Sequence, residues 1–398
     1  MHYREVLKNI KPIYTLNARL KAAKTINAYN ALRKHYHAQA QRDRIVYREE
    51  DVPGLVKARL GERGLHTVRV PRGMLRILYV GADEDQDTSG FLQSLETFGK
   101  VYRFKGKNGQ YGTHSGDKEE NGQRLIELAD QAQRDGPLHV VLGQMWGFSM
   151  PWQALDEVRS MRTITANIGM DDCHAFRLGF VDGEWTGTCG LIPGLDLALT
   201  AAPEVCLWYE VEKLPALFWP EASNKGFFHP MKAPKTYDVC FVGGNYGIRA
   251  KIVQAIERQG IHVECYGNGW PKGRISTRAL PDLFGRSKIV LGVGSIGHCT
   301  DFYALKMRDF DGPMSGSFYL THHNPDLEAL YEIGKEIETY HDVDECVQKV
   351  HYYLDHPDER ELIAKAGRLR AEREHTWEKR FEQVFRVLGL YRGEDEND

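Results

Sequence analysis

The chain has 398 residues, a net charge of −3, 42% hydrophobic residues and 27% charged residues. This balance is ordinary for a globular protein with room for two domains. It contains no apolar run of the roughly 18–20 residues that cross a bilayer. Its seven cysteines are scattered without a CxxC pair, which argues against a structural zinc site and fits reduced thiols. No apolar signal-like segment opens the chain, so we expect a cytoplasmic protein.

The first 48 residues are strongly basic, with eleven Lys or Arg and only two acids. Apolar residues between Val6 and Leu32 follow approximately helical spacing, with an interruption at Pro12. The pattern predicts a basic helical extension over residues 1–70. Such a helix packs on its own domain or on a second subunit, which is the simpler interpretation. The alternative is peripheral contact with an anionic membrane surface, at the inner face of the membrane.

Residues 71–215 alternate between strand and helix patterns, which predicts a doubly wound, Rossmann-like domain. Helices are predicted over 91–99 and 121–136. Six strands are predicted, over residues 75–82, 101–106, 138–143, 163–168, 195–202 and 205–210.

A proline-rich segment follows, and we assign residues 216–236 to an interdomain connector. A second alternation of strands and helices begins at Tyr237 and predicts another Rossmann-like domain over 237–373. Terminal helices are predicted over 342–355 and 358–388. The last part, 374–392, is assigned as the C-terminal helix.

The most informative stretch is KMRDFDGPMSGSFYLT at 306–321. It predicts a helix with an acidic start, a tight turn at Gly316 and a buried parallel strand over 317–321. An acid in this position can accept hydrogen bonds from the hydroxyl groups of a ribose, while nearby cations hold a diphosphate. The alternative without a functional role is that Arg308 and Asp311 form a surface salt bridge.

Residues 237–385 resemble the C-terminal domain of the CgeB-type glycosyltransferases, a branch of the group 1, GT-B superfamily. The resemblance is carried by YDVCFVGGNYGIR at 237–249, YGNGWPKGRIS at 266–276, KMRDFDGPMSGSFYLT at 306–321 and HTWEKRF at 375–381. It implies an α/β GT-B fold of two Rossmann-like domains facing a central cleft, with the C-terminal helix crossing back to the first domain. It also implies transfer of a sugar from a nucleotide-diphosphate sugar, UDP-sugar by default, to a hydroxyl acceptor. No metal or other cofactor is expected.

The same resemblance implies the donor-binding residues. Around the first glycine loop they are Gly243, Gly244, Asn245, Tyr246 and Arg249, and on the following loop Gly267, Trp270 and Arg274. Beyond these come Lys306, Asp311, Ser315 and Gly316, with Arg308 as the cation that assists departure of the diphosphate. Asp311 stands where most family members carry Glu. A packed Trp270 and a solvated Arg249 remain alternative interpretations.

On the acceptor side, Asp172 and His174 follow a predicted strand and are candidates for the general base. His174 is equally well explained as a structural histidine. The triplet Asp83, Asp85 and Asp87 is interpreted as a solvated acidic loop. The acceptor class stays open among glycans, lipid-linked sugars, proteins and small molecules. Two alternatives to a transferase are a sugar-nucleotide epimerase and a non-catalytic nucleotide- or carbohydrate-binding scaffold; nucleic-acid binding is not expected.

Overall fold

The structure is a computed structural model that describes residues 11–113 and 117–392, with side chains from residue 17 onwards. The chain forms two compact units. The first unit holds His35–Asn224 and the segment from Thr376 onwards; the second holds Lys225–His375 and the segment up to Lys34. The division after Asn224 lies within the predicted connector, 216–236. In the described part of the chain, no helix has the length and hydropathy needed to cross a membrane.

A six-stranded parallel sheet forms the centre of the first unit, in the order β2-β1-β3-β4-β7-β8. Strands β3, β4 and β7 are buried along their whole length, as expected for a parallel sheet with both faces covered. A small antiparallel hairpin, β5–β6, is separate from it. The strands are β1 (Leu75–Val80), β2 (Gly99–Arg103), β3 (Val140–Gly143), β4 (Ile164–Gly169), β5 (Phe180–Val181), β6 (Glu184–Trp185), β7 (Leu197–Thr200) and β8 (Ala216–Phe218).

The helices around this sheet include the long segments Lys118–Arg134 and Trp152–Ser160, each with an apolar face against the strands. A kinked segment after β1 runs from Glu84–Gln86 through Asp87–Phe91 to Leu92–Glu96. The remaining helical segments are Glu49–Asp51, Val52–Glu62, Asp172–Ala175, Thr188–Gly194, Pro203–Val211 and Trp377–Val387.

The strand predicted over 205–210 is wrong, because Pro203–Val211 forms a helix and the sixth strand is β8. The helix buries Val205, Cys206, Trp208 and Tyr209. Because the apolar residues follow one another closely, their spacing fits a buried strand as well as a helix. Pro203 in the first helical turn was the local signal for a helix start.

The second unit contains a five-stranded parallel sheet in the order β10-β9-β11-β12-β13. Its strands are β9 (Tyr237–Val242), β10 (Val263–Tyr266), β11 (Ser287–Leu291), β12 (Phe318–His322) and β13 (Glu338–Tyr340). Its helical segments are Arg249–Glu257, Thr277–Ala279, Leu280–Gly285, Arg308–Met314, Pro325–Glu328, Val343–Asp355 and Pro357–Glu374. The order reverses between β9 and β11, and parallel α/β sheets bind ligands beyond the carboxyl ends of strands at such a point.

The N-terminal helix runs from Lys11 to Asp43, and Pro12 lies in its first turn, where proline is tolerated. The basic extension before residue 11 lies outside the described residues. Within the second unit, the ring of Tyr29 contacts that of Phe302 at a centroid distance of 4.6 Å. Cys299 Sγ also lies 3.8 Å from the carbonyl oxygen of Ala22. The helix therefore packs on the loop that follows β11.

The last predicted helix, 358–388, divides at His375 into Pro357–Glu374 and Trp377–Val387. Thr376 caps the second piece by accepting a hydrogen bond from the Lys379 backbone N–H. Trp377 and Phe381 are fully buried in the first unit, where both contact Phe91 at 4.9 Å between ring centroids.

Candidate functional site

Two glycine loops meet at the carboxyl ends of β9 and β10. The backbone N–H of Gly243 donates to the carbonyl of Tyr266 at 2.8 Å, and that of Asn245 donates to Asn268 at 2.7 Å. A Cβ on Gly267 would lie 2.3 Å from the carbonyl oxygen of Gly243, so only glycine allows this approach. The sequence therefore brings together the predicted residues Gly243, Gly244, Asn245 and Gly267.

Arg249 and Arg308 converge beside this loop. Arg249, which is 3% exposed, donates from Nη1 to the Gly244 carbonyl at 3.0 Å and from Nη2 to the Val293 carbonyl at 3.5 Å. Arg308 Nη2 donates to the same Val293 carbonyl at 3.3 Å. Within the described residues, neither guanidinium forms a salt bridge, and the buried Nε of each has no hydrogen-bond partner.

The electrostatics of this pair favour an anion. Burial, followed by the charge of the neighbouring Arg308, lowers the pKa of Arg249 to about 10. The ring of Tyr246 lies 3.9 Å from the Arg249 guanidinium, and Phe241 contacts both arginines. A buried and a half-buried cation without a carboxylate partner are poorly compensated until an anion binds. A diphosphate offers both the negative charge and the hydrogen-bond acceptors.

The helix Arg308–Met314 carries two buried acids. Asp309, which the sequence analysis missed, accepts from the Lys306 backbone N–H at 2.7 Å and from the Tyr319 hydroxyl at 2.6 Å. Burial raises the pKa of Asp309. Asp311 is 6% exposed and lies on the helix one turn after Arg308. The predicted cation Lys306 is half-buried directly before this helix.

Ser315 and Gly316 were predicted to bind the donor, which their backbone N–H groups could do, but both N–H groups are used within the chain itself. The N–H of Ser315 donates to the carbonyls of Asp311 and Gly312, and that of Gly316 donates to Pro313. Gly316 has a φ of 74° and turns the chain into β12. The pair therefore ends the helix and fixes the direction of the next strand.

The two remaining donor candidates differ in exposure. The indole N–H of Trp270 donates to the Gly243 carbonyl at 2.8 Å, and its ring packs against the core of the second unit. Trp270 therefore supports the glycine loop, as its alternative interpretation held. Arg274 is exposed on the segment that follows.

In the first unit, Asp172 is 0% exposed. Its Oδ1 accepts from the Thr188 hydroxyl at 2.6 Å and its Oδ2 from the Tyr209 hydroxyl at 3.0 Å. Burial raises its pKa to about 6. Both oxygens are thus used to hold the loop after β4, and Asp172 does not present a base to a substrate. His174 is half-buried on the same short helix, with Nδ1 3.5 Å from Cys173 Sγ.

Asp87 is 1% exposed, so its interpretation as part of a solvated loop is wrong. Its Oδ2 accepts from the Tyr111 hydroxyl at 2.7 Å and its Oδ1 from Gln144 Nε2 at 3.1 Å. Burial raises its pKa to about 6. This group lies at the carboxyl ends of β1 and β3, where the order of the first sheet reverses. Gly81 leaves room for this carboxylate, because a Cβ at that position would lie 2.3 Å from Asp87 Oδ2.

No cluster of three or more His, Cys, Asp or Glu side chains in the described parts of the chain has a metal-binding arrangement.

The chain is similar to a known protein family and to several solved structures. Residues 249–386, roughly a third of the chain, match the family described as glycosyl transferase-like. The fold is similar to that of sucrose-phosphate synthase from Thermosynechococcus elongatus, with a TM-score of 0.55 and 10% identity. It is also similar to HepE of Anabaena in complex with UDP-glucose, with a TM-score of 0.53 and 9% identity. Each alignment covers 79% of this chain and 99% of the other.

At these identities the structural matches establish the fold, which is GT-B, as expected. The match of residues 249–386 confirms the expected enzyme class, a glycosyltransferase. The resemblance is thereby confirmed at the level of a glycosyltransferase with the GT-B fold. Comparison with curated protein sequences finds no match.

Proposed function

We propose that the protein transfers a sugar from a UDP-sugar to a hydroxyl group of an acceptor, as the CgeB-type resemblance implies. The observation that carries the proposal is the pair Arg249 and Arg308, a buried and a half-buried arginine without a carboxylate partner at the carboxyl ends of β9 and β11. Uridine is the proposed nucleotide because HepE, which has a similar fold, has been solved in complex with UDP-glucose.

The proposed division of labour follows from the chemistry of the side chains. Asp311 accepts hydrogen bonds from the ribose hydroxyls. Arg249 and Arg308 hold the diphosphate and stabilise the charge that develops when the bond between the anomeric carbon and the phosphate oxygen breaks. Because two fixed cations already supply this charge, we propose a reaction that needs no metal ion.

The acceptor binds the first unit in this proposal, and its hydroxyl loses a proton as its oxygen attacks the anomeric carbon. His174 is the candidate base that we keep, because Asp172 has both oxygens occupied inside the unit. We place the enzyme in the cytoplasm, and the basic helix supports peripheral contact with the anionic inner face of the membrane. Its cations Arg19, Lys21 and Lys24 are exposed.

The test is thermal stabilisation of the wild type and of Asp311→Ala by UDP-, GDP-, dTDP- and CMP-sugars. We expect UDP-sugars to stabilise the wild type, and the shift to be largely lost in Asp311→Ala. Asp282→Ala, which removes a surface ion pair with Arg286 in the same unit, serves as the control. Stabilisation by another nucleotide would reject uridine, and no stabilisation by any donor would favour a scaffold without catalytic activity.

A further inference from the structure

The hairpin β5–β6 exposes apolar side chains on the surface of the first unit. Its turn, Asp182-Gly183, has positive φ at both residues, 50° and 85°, as a two-residue type I′ turn requires. Phe180 is 60% exposed, Val181 56% and the preceding Leu178 50%. Three large exposed apolar side chains within four residues of the chain are uncommon on a monomeric surface and point to a binding role.

A second pair of rings lies on the adjacent loop after β3. Trp146 stacks on Phe148 at 5.9 Å between centroids, and Phe148 is 43% exposed. The backbone N–H of Phe148 donates to the Thr186 carbonyl at 2.9 Å, which joins this loop to the hairpin. Phe180 and Trp185 contact each other edge to face at 4.9 Å. Trp146, Phe148, Phe180 and Trp185 together are named the aromatic patch.

The aromatic patch is held in place without a ligand. The Glu184 carboxylate of the hairpin accepts hydrogen bonds from Lys118, Trp152 and Gln153, on two helices of the first unit. A Cβ on Gly147 would lie 2.2 Å from the Trp185 carbonyl oxygen, so loop and hairpin are in direct backbone contact. A rigid platform loses little conformational entropy on binding, which favours affinity for a small rigid partner.

The surroundings of the patch indicate the chemistry of that partner. The hairpin turn carries the exposed carboxylate of Asp182, whereas the Glu184 carboxylate is already occupied by Lys118, Trp152 and Gln153. The guanidinium of Arg177 lies 4.8 Å from the Trp185 ring centroid, so an acid and a cation border the patch. Asp182 at the tip opposes contact with an anionic lipid surface, which attracts cations. A pyranose ring presents one face of C–H bonds that stacks on aromatic rings, and hydroxyl groups that donate to carboxylates and amides.

The position of the patch agrees with a substrate-binding role. Its loops follow β3 and β4, at the carboxyl edge of the first sheet, where α/β proteins bind ligands. His174 follows β4 at the same edge. We propose that the aromatic patch binds a pyranose ring of the acceptor, so that the acceptor is a glycan or a glycoside; this inference rests on the proposed transferase function.

The experiment measures binding of the full chain to immobilised tetrasaccharides of glucose, galactose, mannose and N-acetylglucosamine. We expect the wild type to bind at least one of them, and Phe180→Leu and Phe148→Leu to weaken that binding about 3- to 10-fold through loss of the aromatic face. Phe180→Tyr keeps the ring and should bind as the wild type does. Val68→Ala, at an exposed apolar residue of the same unit, is the control.

Three results would overturn the inference. The first is equal binding by Phe180→Leu, since leucine keeps the apolar bulk but not the ring. The second is binding to phosphatidylglycerol vesicles that depends on Phe180. The third is no binding to any of the four sugars by a protein that UDP-sugars stabilise. Stabilisation by UDP-sugars, measured on the same wild-type preparation, reports separately on the proposed function.

Discussion

The carbonyl oxygen of Val293 accepts hydrogen bonds from both Arg249 Nη2 and Arg308 Nη2, at 3.5 Å and 3.3 Å. One neutral acceptor thus holds two cations that the sequence separates by 59 positions. A carbonyl compensates only part of the charge of two guanidinium groups, and the buried Nε of each has no partner in the described residues. This arrangement keeps positive potential at the carboxyl ends of β9 and β11 for an anion to neutralise.

Replacing either arginine should therefore weaken UDP binding without lowering the stability of the free protein. We expect Arg249→Met and Arg308→Met to weaken UDP binding about 10- to 100-fold, because each removes charge-assisted hydrogen bonds of roughly 1.5–3 kcal/mol. Stability of the free protein should stay the same or rise, since one of two desolvated like charges is removed. Calorimetric titration with UDP and thermal unfolding measure the two effects. Arg286→Met is the matched control, and a loss of stability without a loss of affinity would contradict the role assigned to the pair.

A substitution at Gly316 tests whether this residue forms the turn between the helix Arg308–Met314 and β12. A Cβ on Gly316 would lie 2.7 Å from Pro230 Cγ, and its φ of 74° disfavours any side chain. Gly316→Ala should therefore cost about 1–3 kcal/mol of stability. Gly334→Ala is the matched control, because Gly334 has a φ of 80° with no atom near its Cβ position and adds only backbone strain. Equal losses in the two variants, measured by chemical unfolding, would show that the contact with Pro230 is unimportant.

The sequence signals for turns and strand ends in the second unit are local. Glycines that end strands and the sharp turn at Gly316 act over a few residues, and the sequence places them directly. Asp309 was missed for the opposite reason. Its partner Tyr319 lies ten residues further on, and only the return of the chain through β12 brings the hydroxyl to the carboxylate. Long-range contacts of this kind are not encoded in spacing.

Asp83 and Asp87 show the same limit within a single loop. Asp83 is exposed and caps the next turn by accepting from the Gln86 backbone N–H. Asp87 lies one turn later and is directed inward, where the helical segment Asp87–Phe91 kinks at Gly90 with a φ of 116°. Alternating acids therefore look alike in the sequence, although a kink gives one of them a fully buried environment.

The buried carboxyl of Asp87 predicts a pH dependence of stability. Its pKa is raised to about 6 in the folded protein, against 3.8 as the ordinary value, so the folded state holds the proton more tightly than the unfolded state. Its contribution is therefore fully present at low pH and is lost as the pH rises from about 4 to about 6. The loss amounts to about 3 kcal/mol.

Asp87→Asn should remove the Asp87 part of this slope, because the amide is neutral at every pH and its oxygen still accepts from Tyr111. The buried carboxyl of Asp172, whose pKa is also raised to about 6, keeps its own part of the slope. Melting temperatures between pH 4 and pH 8 measure the difference. Asp83→Asn is the control, because asparagine caps a helix as well as aspartate does. An unchanged slope in Asp87→Asn would mean that the acid is not the group that titrates.

The contact between Tyr29 and Phe302 connects the N-terminal helix to the proposed donor site of the second unit. Phe302 lies on the loop after β11, and a Cβ on Gly247 would lie 2.2 Å from the carbonyl oxygen of Gly297 on that loop. The helix thus supports a loop that touches the glycine-rich turn after β9. Phe302→Ala removes an aromatic pair of roughly 0.5–1.5 kcal/mol, so we expect about 2- to 10-fold faster hydrogen exchange across residues 17–34 and weaker UDP binding. Tyr352→Ala, at an exposed ring of the same unit, is the control. Faster exchange with unchanged UDP affinity would show that the helix packs on the loop without supporting the donor site.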